Sequence, residues 1–219
     1  LTKQFCKSQG VYGAESYIKG LSGYICEILT IYCKGFLNLV KAASKWKDKT
    51  IIDVEKYYKN NKEILNSLNL AKIYSPLIII DPVQKDRNAS AALSIEKYEK
   101  FISACKSFLK KPSKEFFTIK EITIDELKNK AGKNNLILIE ATALQGKEDV
   151  VGSKLLKVLE FIEKKLNENE FKVYGKGWKW DKEKKALFWF ILGKEKLSEY
   201  IKWVGPPINN KIHVKNFRK

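Results

Sequence analysis

A continuous apolar run, Leu77-Ile-Ile-Ile80, has a proline immediately before it and another two positions after it. This pattern predicts a short buried strand with sharply defined ends. Asp81 follows the run, and a polar loop then leads to Arg87 and Asn88. We interpret residues 76–88 as a rigid arm that holds one guanidinium group at a fixed place. An ordinary strand-to-helix turn is the plainer interpretation of the same pattern.

Helical periodicity predicts most other elements of the first half. Apolar residues recur at every third or fourth position over residues 23–33, 36–46 and 94–109, which is typical of helices with one buried face. Residues 1–8 read as the end of a further helix, and residues 50–54 as a short strand. The predicted buried stripe of the third helix comprises Ile95, Tyr98, Ile102, Cys105 and Leu109.

The second half has a different pattern, with a boundary predicted near residue 114. A strand edge and a short helix over residues 122–131 precede elements in the order β-α-β-β: residues 136–142, 150–166, 171–180 and 186–192. That order predicts a ferredoxin-like sheet with helices on one face. The fold class is therefore α+β, with a mainly helical domain over residues 1–114 and a ferredoxin-like domain over residues 115–219. We expect the latter to lack one strand at its C-terminus.

Composition points to a polyanionic partner. The chain has 42 Lys and Arg residues against 25 Asp and Glu residues, a net charge of +17, which suits nucleic acid or an acidic membrane surface. No apolar run approaches the ~20 residues of a membrane-spanning helix. The four scattered cysteines and the lone His213 form no metal-ligand pattern, and reduced cysteines favour a cytoplasmic protein.

Only Arg87 and Arg218 are arginines, in a chain that otherwise uses lysine. An arginine in this background indicates a need for its planar, five-donor fork.

Motifs for catalysis are absent from the sequence. There is no glycine-rich phosphate loop, no G-x-S-x-G turn and no H-E-x-x-H helix. Asp53 and Asp81 each close a predicted strand, apart from any second acid, whereas two-metal phosphoryl transfer needs clustered carboxylates. We interpret both as residues that brace turns, and we expect the chain alone to be inactive.

Aromatic residues among lysines favour RNA binding, because rings stack on bases and lysines contact phosphates. Trp178 and Trp180 are two positions apart in a strand, so both rings share one face of the sheet beside Lys176 and Lys182. A core role for these rings remains an equal alternative. Tyr24 and Trp189 are interpreted as core residues.

Several blocks of the chain resemble the central part of archaeal CCA-adding enzymes, the class I tRNA nucleotidyltransferases. The resemblance is specific as far as residue 117 and weaker but collinear beyond it. The matching blocks are Gly10-Val-Tyr-Gly-Ala-Glu15, Lys19-Gly-Leu-Ser-Gly-Tyr-Ile-Cys-Glu27, Ala42-Ala-Ser-Lys-Trp46, Ile52-Asp53, Asp81-Pro-Val83, Arg87-Asn88 and residues 101–117.

The resemblance implies a function and a fold. Such enzymes add C, C and A to tRNA 3′ ends from CTP and ATP, and a palm domain binds the catalytic Mg²⁺. The first half of this chain is similar to the substrate-binding domain of poly(A) polymerases and oligoadenylate synthetases. No palm is present, so Mg²⁺ would be held by a palm-containing polypeptide, encoded in the same gene or separately.

The resemblance also implies roles for particular residues. Arg87 would contact the base edge of the incoming nucleotide, Tyr12 its triphosphate or ribose, and Lys3 its phosphates. Asn88 and Asp81 would hold the arm in shape. The residues implied to bind tRNA are Lys176, Trp178, Lys179, Trp180, Lys182 and Lys215.

Three functional hypotheses remain open from the sequence. The chain is a fragment or split subunit of a CCA-adding enzyme, a non-catalytic tRNA- or RNA-binding module, or the matching part of a poly(A) polymerase-like enzyme. The partners expected under the first are tRNA, CTP, ATP and the palm, with no membrane. A homodimer is compatible with all three.

Overall fold

The computed structural model describes residues 1–197, 200 and 204–217, so Arg218 lies outside the described part of the chain. The chain divides into two compact units. The first comprises Leu1–Ile122 and Gly146–Ser153, and the second comprises Thr123–Gln145 and Lys154–Lys219. The main division therefore falls after residue 122, and the sequence-based boundary lies earlier, after residue 114.

Helices dominate the described part of the first unit. In chain order its elements are α1 Thr2–Ser8, α2 Gly23–Tyr32, α3 Phe36–Ala43, β1 Thr50–Asp53, α4 Asn61–Ser67, α5 Leu70–Ile73, β2 Leu77–Ile80, α6 Ile95–Lys110 and a 3-10 helix Lys114–Phe117. Ser22 and Ser94 cap α2 and α6, where each hydroxyl accepts a backbone N–H hydrogen bond at 3.2 Å. Gly10 follows α1 with a φ of +64°, a left-handed conformation that favours glycine.

Phe5 stands at the centre of an aromatic cluster that joins the elements of the first unit. Its ring is fully buried, and five other phenylalanine ring centroids lie 5.4–6.3 Å from its own. These rings come from α3, α6 and the 3-10 helix, and they belong to Phe36, Phe101, Phe108, Phe116 and Phe117. Most pairs are tilted or edge-to-face, the arrangements that aromatic quadrupoles favour. The cluster therefore fixes α1 against the rest of the unit.

The predicted strand over residues 77–80 is confirmed. As β2, it pairs in parallel with β1, and Asp53 lies opposite Ile80. All four residues of β2 are fully buried. Leu77 and Ile79 belong to the main core, whereas Ile78 and Ile80 pack with residues of α4 in a second, smaller cluster. Burial on both faces explains why the strand has a continuous rather than an alternating apolar pattern.

The helix predicted over residues 94–109 is also confirmed, with one correction to its buried stripe. Tyr98, Ile102 and Cys105 are buried, but Ile95 is 54% exposed. Ile95 is the first residue of α6, so no preceding helical turn covers its side chain. Phe101 and Ala104, outside the predicted stripe, are buried and widen the apolar face of the helix.

The second unit contains a three-stranded antiparallel sheet. Its described elements are α7 Ile124–Ala131, β3 Asn135–Thr142, α8 Glu148–Glu168, β4 Val173–Trp180, β5 Lys185–Leu192 and α9 Lys211–Phe217. The beginning of α8, to residue 153, belongs to the first unit. The strand order is β3-β5-β4, so β3 and β4 run parallel with β5 between them. The order β-α-β-β and the α+β class are confirmed, but no strand forms at residue 122, and α9 was not predicted.

Two expectations from composition can be compared with the structure. No single described helix is long and apolar enough to cross a membrane, and α2 with α3 meets the length and composition test only as a pair bent by 94°. The four cysteines are free thiols, and Cys6, Cys26 and Cys105 are buried.

Trp189 is buried, as predicted for a core residue.

Replacing Phe5 with alanine should destabilise the first unit by about 3–5 kcal/mol, because it empties the centre of the aromatic cluster. Denaturant unfolding followed by circular dichroism measures this change. Phe161→Ala is the matched control, since that ring is 59% exposed and its loss should cost far less. Equal losses in the two variants would contradict a central role for Phe5.

Candidate functional site

The chain folds back on itself directly after β2, and Asn88 holds this return. Asn88 Oδ1 accepts hydrogen bonds from the backbone N–H groups of Ile79 and Ser90, each at 3.0 Å. It also accepts one from the Ser90 hydroxyl at 2.9 Å, while Asn88 Nδ2 donates to the Lys72 carbonyl at 2.7 Å. Asn88 is only 3% exposed. Its side chain therefore satisfies buried backbone groups that would otherwise have no partner.

Asp81 and Arg87 face each other at the base of this loop. The Asp81 N–H donates to the Arg87 carbonyl at 3.0 Å. In return, Arg87 Nη1 donates to Asp81 Oδ2 at 3.1 Å. The two side chains differ in exposure, 2% for Asp81 and 56% for Arg87. The buried carboxylate thus restrains one nitrogen of the guanidinium, while more than half of the Arg87 side chain stays exposed.

Tyr24 completes this cluster, which corrects its interpretation as a core residue. The ring is 39% exposed, and its hydroxyl donates to Asp81 Oδ1 at 2.9 Å. Burial and this hydrogen bond raise the pKa of Tyr24, so the hydroxyl stays protonated as a donor. Residue spacing could not reveal this contact, because it joins α2 to a loop 57 positions later in the chain.

Several donors compete with burial in setting the charge of Asp81. Burial alone would raise the pKa of this carboxyl, but hydrogen bonds from the Val83 N–H and the Tyr24 hydroxyl, together with the charge of Arg87, outweigh it. The net effect is a lowered pKa. Asp81 is therefore ionised at neutral pH and holds Arg87 by a charge-assisted hydrogen bond.

A second polar cluster lies where α1, the following loop and α2 meet. A Cβ atom added to Gly23 would lie 2.9 Å from Tyr12 Oη and 3.6 Å from Lys3 Nζ. The tyrosine hydroxyl and the lysine ammonium thus converge over the first residue of α2. Lys3 also donates to Glu27 at 2.5 Å, and this hydrogen bond raises the pKa of the ammonium. Lys7 Nζ lies 5.1 Å from the centre of the Tyr12 ring.

The two clusters share the first turn of α2, because Gly23 faces Tyr12 and the next residue, Tyr24, is bonded to Asp81. The exposed backbone N–H groups at the start of a helix carry partial positive charge. Lys3, Tyr12 and Arg87, which the sequence singled out separately, are therefore grouped around one helix terminus. Tyr24 and Gly23 are the members that sequence reasoning missed. The available signal was that both lie in the block Lys19–Glu27, which resembles the family.

The carboxylates of the described residues do not form a metal site. Asp53 Oδ2 accepts the Tyr58 N–H at 2.9 Å, so Asp53 braces the turn after β1. Within the described ranges, no group of three or more His, Cys, Asp and Glu side chains is placed to hold a metal ion. The described carboxylates do not fit a Mg²⁺ ion, which the resemblance implies is held by the palm domain and not by this chain.

In the second unit, the tryptophans on β4 lie on the face of the sheet that meets α8. Trp178 stacks on the fully buried Phe188, with centroids 6.4 Å apart and an angle of 15° between the rings. Lys176, on the same face, forms an ion pair with Glu163 of α8. These contacts favour the core alternative for Trp178, and they neutralise the charge of Lys176.

Three of the remaining candidates of the second unit lie at the end of β4 or in the turn after it, and the fourth lies on α9. Trp180 is half-buried at the end of β4, Lys179 is exposed on the opposite face from Trp178, and Lys182 lies in the following turn with a φ of +66°. Lys215 is exposed on α9. A tRNA-binding role for this set stays a prediction.

Comparison with known proteins connects both halves of the chain to one class of enzyme. Residues 1–118 match the family profile "tRNA nucleotidyltransferase, second domain", and residues 135–219 match "CCA-adding enzyme, C-terminal domain". The chain is 40% identical to the CCA-adding enzyme of Nanoarchaeum equitans, over 94% of this chain and 49% of that protein. It is 34% identical to the CCA-adding enzyme of Methanococcus maripaludis, over 99% and 49% respectively.

These matches define the class as tRNA nucleotidyltransferase. The chain belongs to the archaeal CCA-adding enzyme family and contains its second and C-terminal domains. The resemblance predicted from the sequence blocks is therefore confirmed. The chain spans about half the length of the curated relatives it matches, 49% of each of these two.

The charge of Asp81 predicts a specific acid sensitivity. Because its pKa is lowered in the folded state, its stabilising effect is present above the unfolded-state pKa of about 3.9 and is lost as the pH falls below that value. We expect Asp81→Asn to lower the free energy of unfolding at pH 7 by roughly 1–3 kcal/mol. The variant should also lose less stability than the wild type between pH 5 and pH 3.

Denaturant titrations at each pH measure both effects. Asp86→Asn is the matched control, because it removes an exposed carboxylate from the same loop. If Asp81→Asn and the wild type lose stability in parallel on acidification, the proposed charge state of Asp81 is wrong.

Proposed function

We propose that this chain supplies the nucleotide-selecting wall and the tRNA-binding surface of a CCA-adding enzyme, which adds C, C and A to tRNA 3′ ends from CTP and ATP. One observation carries the proposal. Lys3 and Tyr12 converge over Gly23, while the adjacent Tyr24 anchors the Asp81–Arg87 pair. In a chain of this family, that grouping provides one face of a nucleotide site.

The cluster at Gly23 is suited to phosphate. Lys3 supplies a positive charge, the Tyr12 hydroxyl a donor, and the start of α2 exposed backbone N–H groups. Lys7, placed over the Tyr12 ring, adds a second cation. Since Glu27 pairs with Lys3, a triphosphate has to compete with this carboxylate for the ammonium.

Arg87 is suited to distinguish C and A from U and G. A guanidinium only donates hydrogen bonds. On the Watson–Crick edge, the ring nitrogen of C or A is an acceptor, whereas the ring nitrogen of U or G carries a hydrogen. The Arg87 guanidinium, held by Asp81 at 3.1 Å, can therefore donate to the ring nitrogen of C or A. It would meet the N–H of U or G, which is also a donor, and this disfavours those two bases. Asp81 and Asn88 support this role by keeping the loop in one conformation.

The second unit supports the tRNA-binding part of the proposal. Its β-α-β-β order with β5 between two parallel strands is the order expected for the first three strands of a ferredoxin-like fold. We propose that the first unit is the poly(A) polymerase-type substrate-binding domain. Exposed lysines such as Lys179 and Lys215 would contact tRNA phosphates. Mg²⁺ would be held by the palm domain, which is the first domain of such enzymes. We propose that the palm and this chain work together in one cytoplasmic assembly.

Reconstitution tests the proposal. The full chain is mixed with a polypeptide that carries the first domain of a tRNA nucleotidyltransferase, together with CTP, ATP and a tRNA that lacks CCA. We expect labelled C and A to be added only when both polypeptides are present, because neither carries the whole site. Circular dichroism and tRNA binding are measured in parallel to establish that each polypeptide is folded.

The competing hypotheses predict other outcomes of the same experiment. If tRNA binds but no nucleotide is added by two folded polypeptides, the chain is a non-catalytic tRNA-binding module and the proposal is wrong. Equal extension of unstructured RNA and tRNA would favour a poly(A) polymerase-like enzyme.

Arg87→Lys should reduce nucleotide selection in the reconstituted enzyme. Lysine keeps the positive charge but lacks the planar fork of donors. A hydrogen bond to a charged group contributes about 1.5–3 kcal/mol. Its loss would lower the preference for CTP over UTP by roughly 10- to 150-fold. The ratio of kcat/KM values for the two nucleotides measures it. Lys85→Ala, which removes a charge from the same loop, is the control. If Arg87→Lys weakens nucleotide selection and tRNA affinity equally, that result would count against recognition of the base edge by Arg87.

A further inference from the structure

A cavity of about 560 Å³ lies in the first unit. It is at the N-terminal end of the β1–β2 strand pair, whereas the loop that carries Arg87 follows the C-terminal end of β2. Lys47 and Lys49, which precede β1, contribute to its lining, as do Tyr74 and Pro76, which precede β2. Because the strands are parallel, these residues meet at the N-terminal end of the pair, and the loop that carries Arg87 begins at its C-terminal end. The volume is within the range of about 300–1,000 Å³ that is typical of small-ligand sites.

One wall of the cavity is aromatic and rigid. Trp46 stacks on Tyr98, with centroids 6.0 Å apart and an angle of 8° between the rings. The Tyr98 hydroxyl donates to the Lys47 carbonyl and therefore accepts from the Thr50 hydroxyl, both at 2.7 Å. The position of the stack is thus fixed by β1 and the residues before it, without any ligand.

Tyr74 has no comparable structural role. Its side chain lines the cavity and is 82% exposed. In the described part of the chain, its hydroxyl has no hydrogen-bond partner, and its ring has no aromatic or cationic contact. Burying such a ring against another flat ring is favourable, and nucleobases use this interaction widely.

Charged groups around the cavity favour one nucleotide over a longer polyanion. Lys49 donates to the carbonyl of Ile73 at 2.8 Å, which fixes a positive charge beside Tyr74. Lys47 and Lys106 have no carboxylate within 4.0 Å among the described residues, so either is available to a phosphate. The lining also includes Asp48 and Glu99, whose carboxylates accept hydrogen bonds from amino groups and would repel a chain of phosphates.

We propose that this cavity binds a single nucleotide unit, with its base against Tyr74 and Trp46 and its phosphate at Lys47 and Lys106. The unit is either a free nucleotide or one unpaired nucleotide of an RNA chain, since both present the same chemistry. The inference does not depend on the proposed function, because no residue of the Arg87 cluster lines the cavity.

Photo-crosslinking of the full chain tests this inference. One arm uses 8-azidoadenosine monophosphate, and the other uses a short single-stranded RNA that carries one 8-azidoadenosine. Labelled peptides are mapped by mass spectrometry, and affinities are measured by titration. We expect labelling in the segments around residues 46–49, 74 and 106.

Two substitutions with matched controls make the test specific. Tyr74→Ala should weaken binding roughly tenfold through lost stacking, whereas Tyr32→Ala removes an exposed tyrosine from α2 and should leave it unchanged. Lys106→Glu should also weaken binding, whereas Lys110→Glu, one turn later on α6 and outside the cavity, should not. All four positions are exposed, so the variants are expected to fold.

The two arms distinguish the source of the nucleotide. Labelling by the free monophosphate identifies a free-nucleotide site, and labelling by the RNA alone identifies a site for an unpaired nucleotide of a chain. Labelling confined to the loop that carries Arg87 would overturn the inference, as would binding that is unaffected by Tyr74→Ala and Lys106→Glu. Either result would favour a peptide or a second copy of the chain as the occupant of the cavity. None of these outcomes depends on catalysis, so failure here is separable from failure of the reconstitution.

Discussion

The hydrogen bonds of the Asn88 amide are the interaction on which the candidate site depends. After β2 the chain reverses direction through an exposed loop, but Ile79 and Ser90 at the base of that loop are fully buried. Asn88 satisfies the N–H groups of Ile79 and Ser90 and the carbonyl of Lys72 with one side chain. An unsatisfied buried group costs about 1–3 kcal/mol, so this conformation is strongly favoured over others. Because Arg87 directly precedes Asn88, these hydrogen bonds also fix the position of the Arg87 backbone.

Asp81 restrains the Arg87 guanidinium from one side only. A fully paired arginine would be structural, and a free one would lose conformational entropy when it meets a ligand. Arg87 is held at one nitrogen by the buried Asp81, yet 56% of its side chain stays exposed. Tyr24 keeps that carboxylate in place from α2. In the proposed site, a nucleotide would therefore meet a guanidinium that is already restrained, which reduces the cost of recognition.

Local patterns in the sequence predicted what local physics determines. The apolar run at residues 77–80 and the helical stripe after Ser94 specified β2 and α6. The order of strands and helix in the second unit specified its class. The hydrogen bond of Tyr24 to Asp81 could not be predicted, because periodicity gives the direction of a side chain on its own helix and not the distant loop that it meets. The same limit applies to Trp178, whose shared face with Trp180 followed from spacing but whose contact with Phe188 depends on strand pairing.

Composition and geometry agree on why residue 87 is an arginine. A lysine ammonium concentrates its three donors on a single nitrogen, so a hydrogen bond to Asp81 would draw the whole group toward the buried carboxylate. The guanidinium spreads five donors over three nitrogens in one plane. It can therefore bond Asp81 through Nη1 and still direct other N–H groups outward in a defined orientation. In a chain with 42 basic residues and only two arginines, the proposed role of residue 87 uses this property of arginine, which lysine lacks.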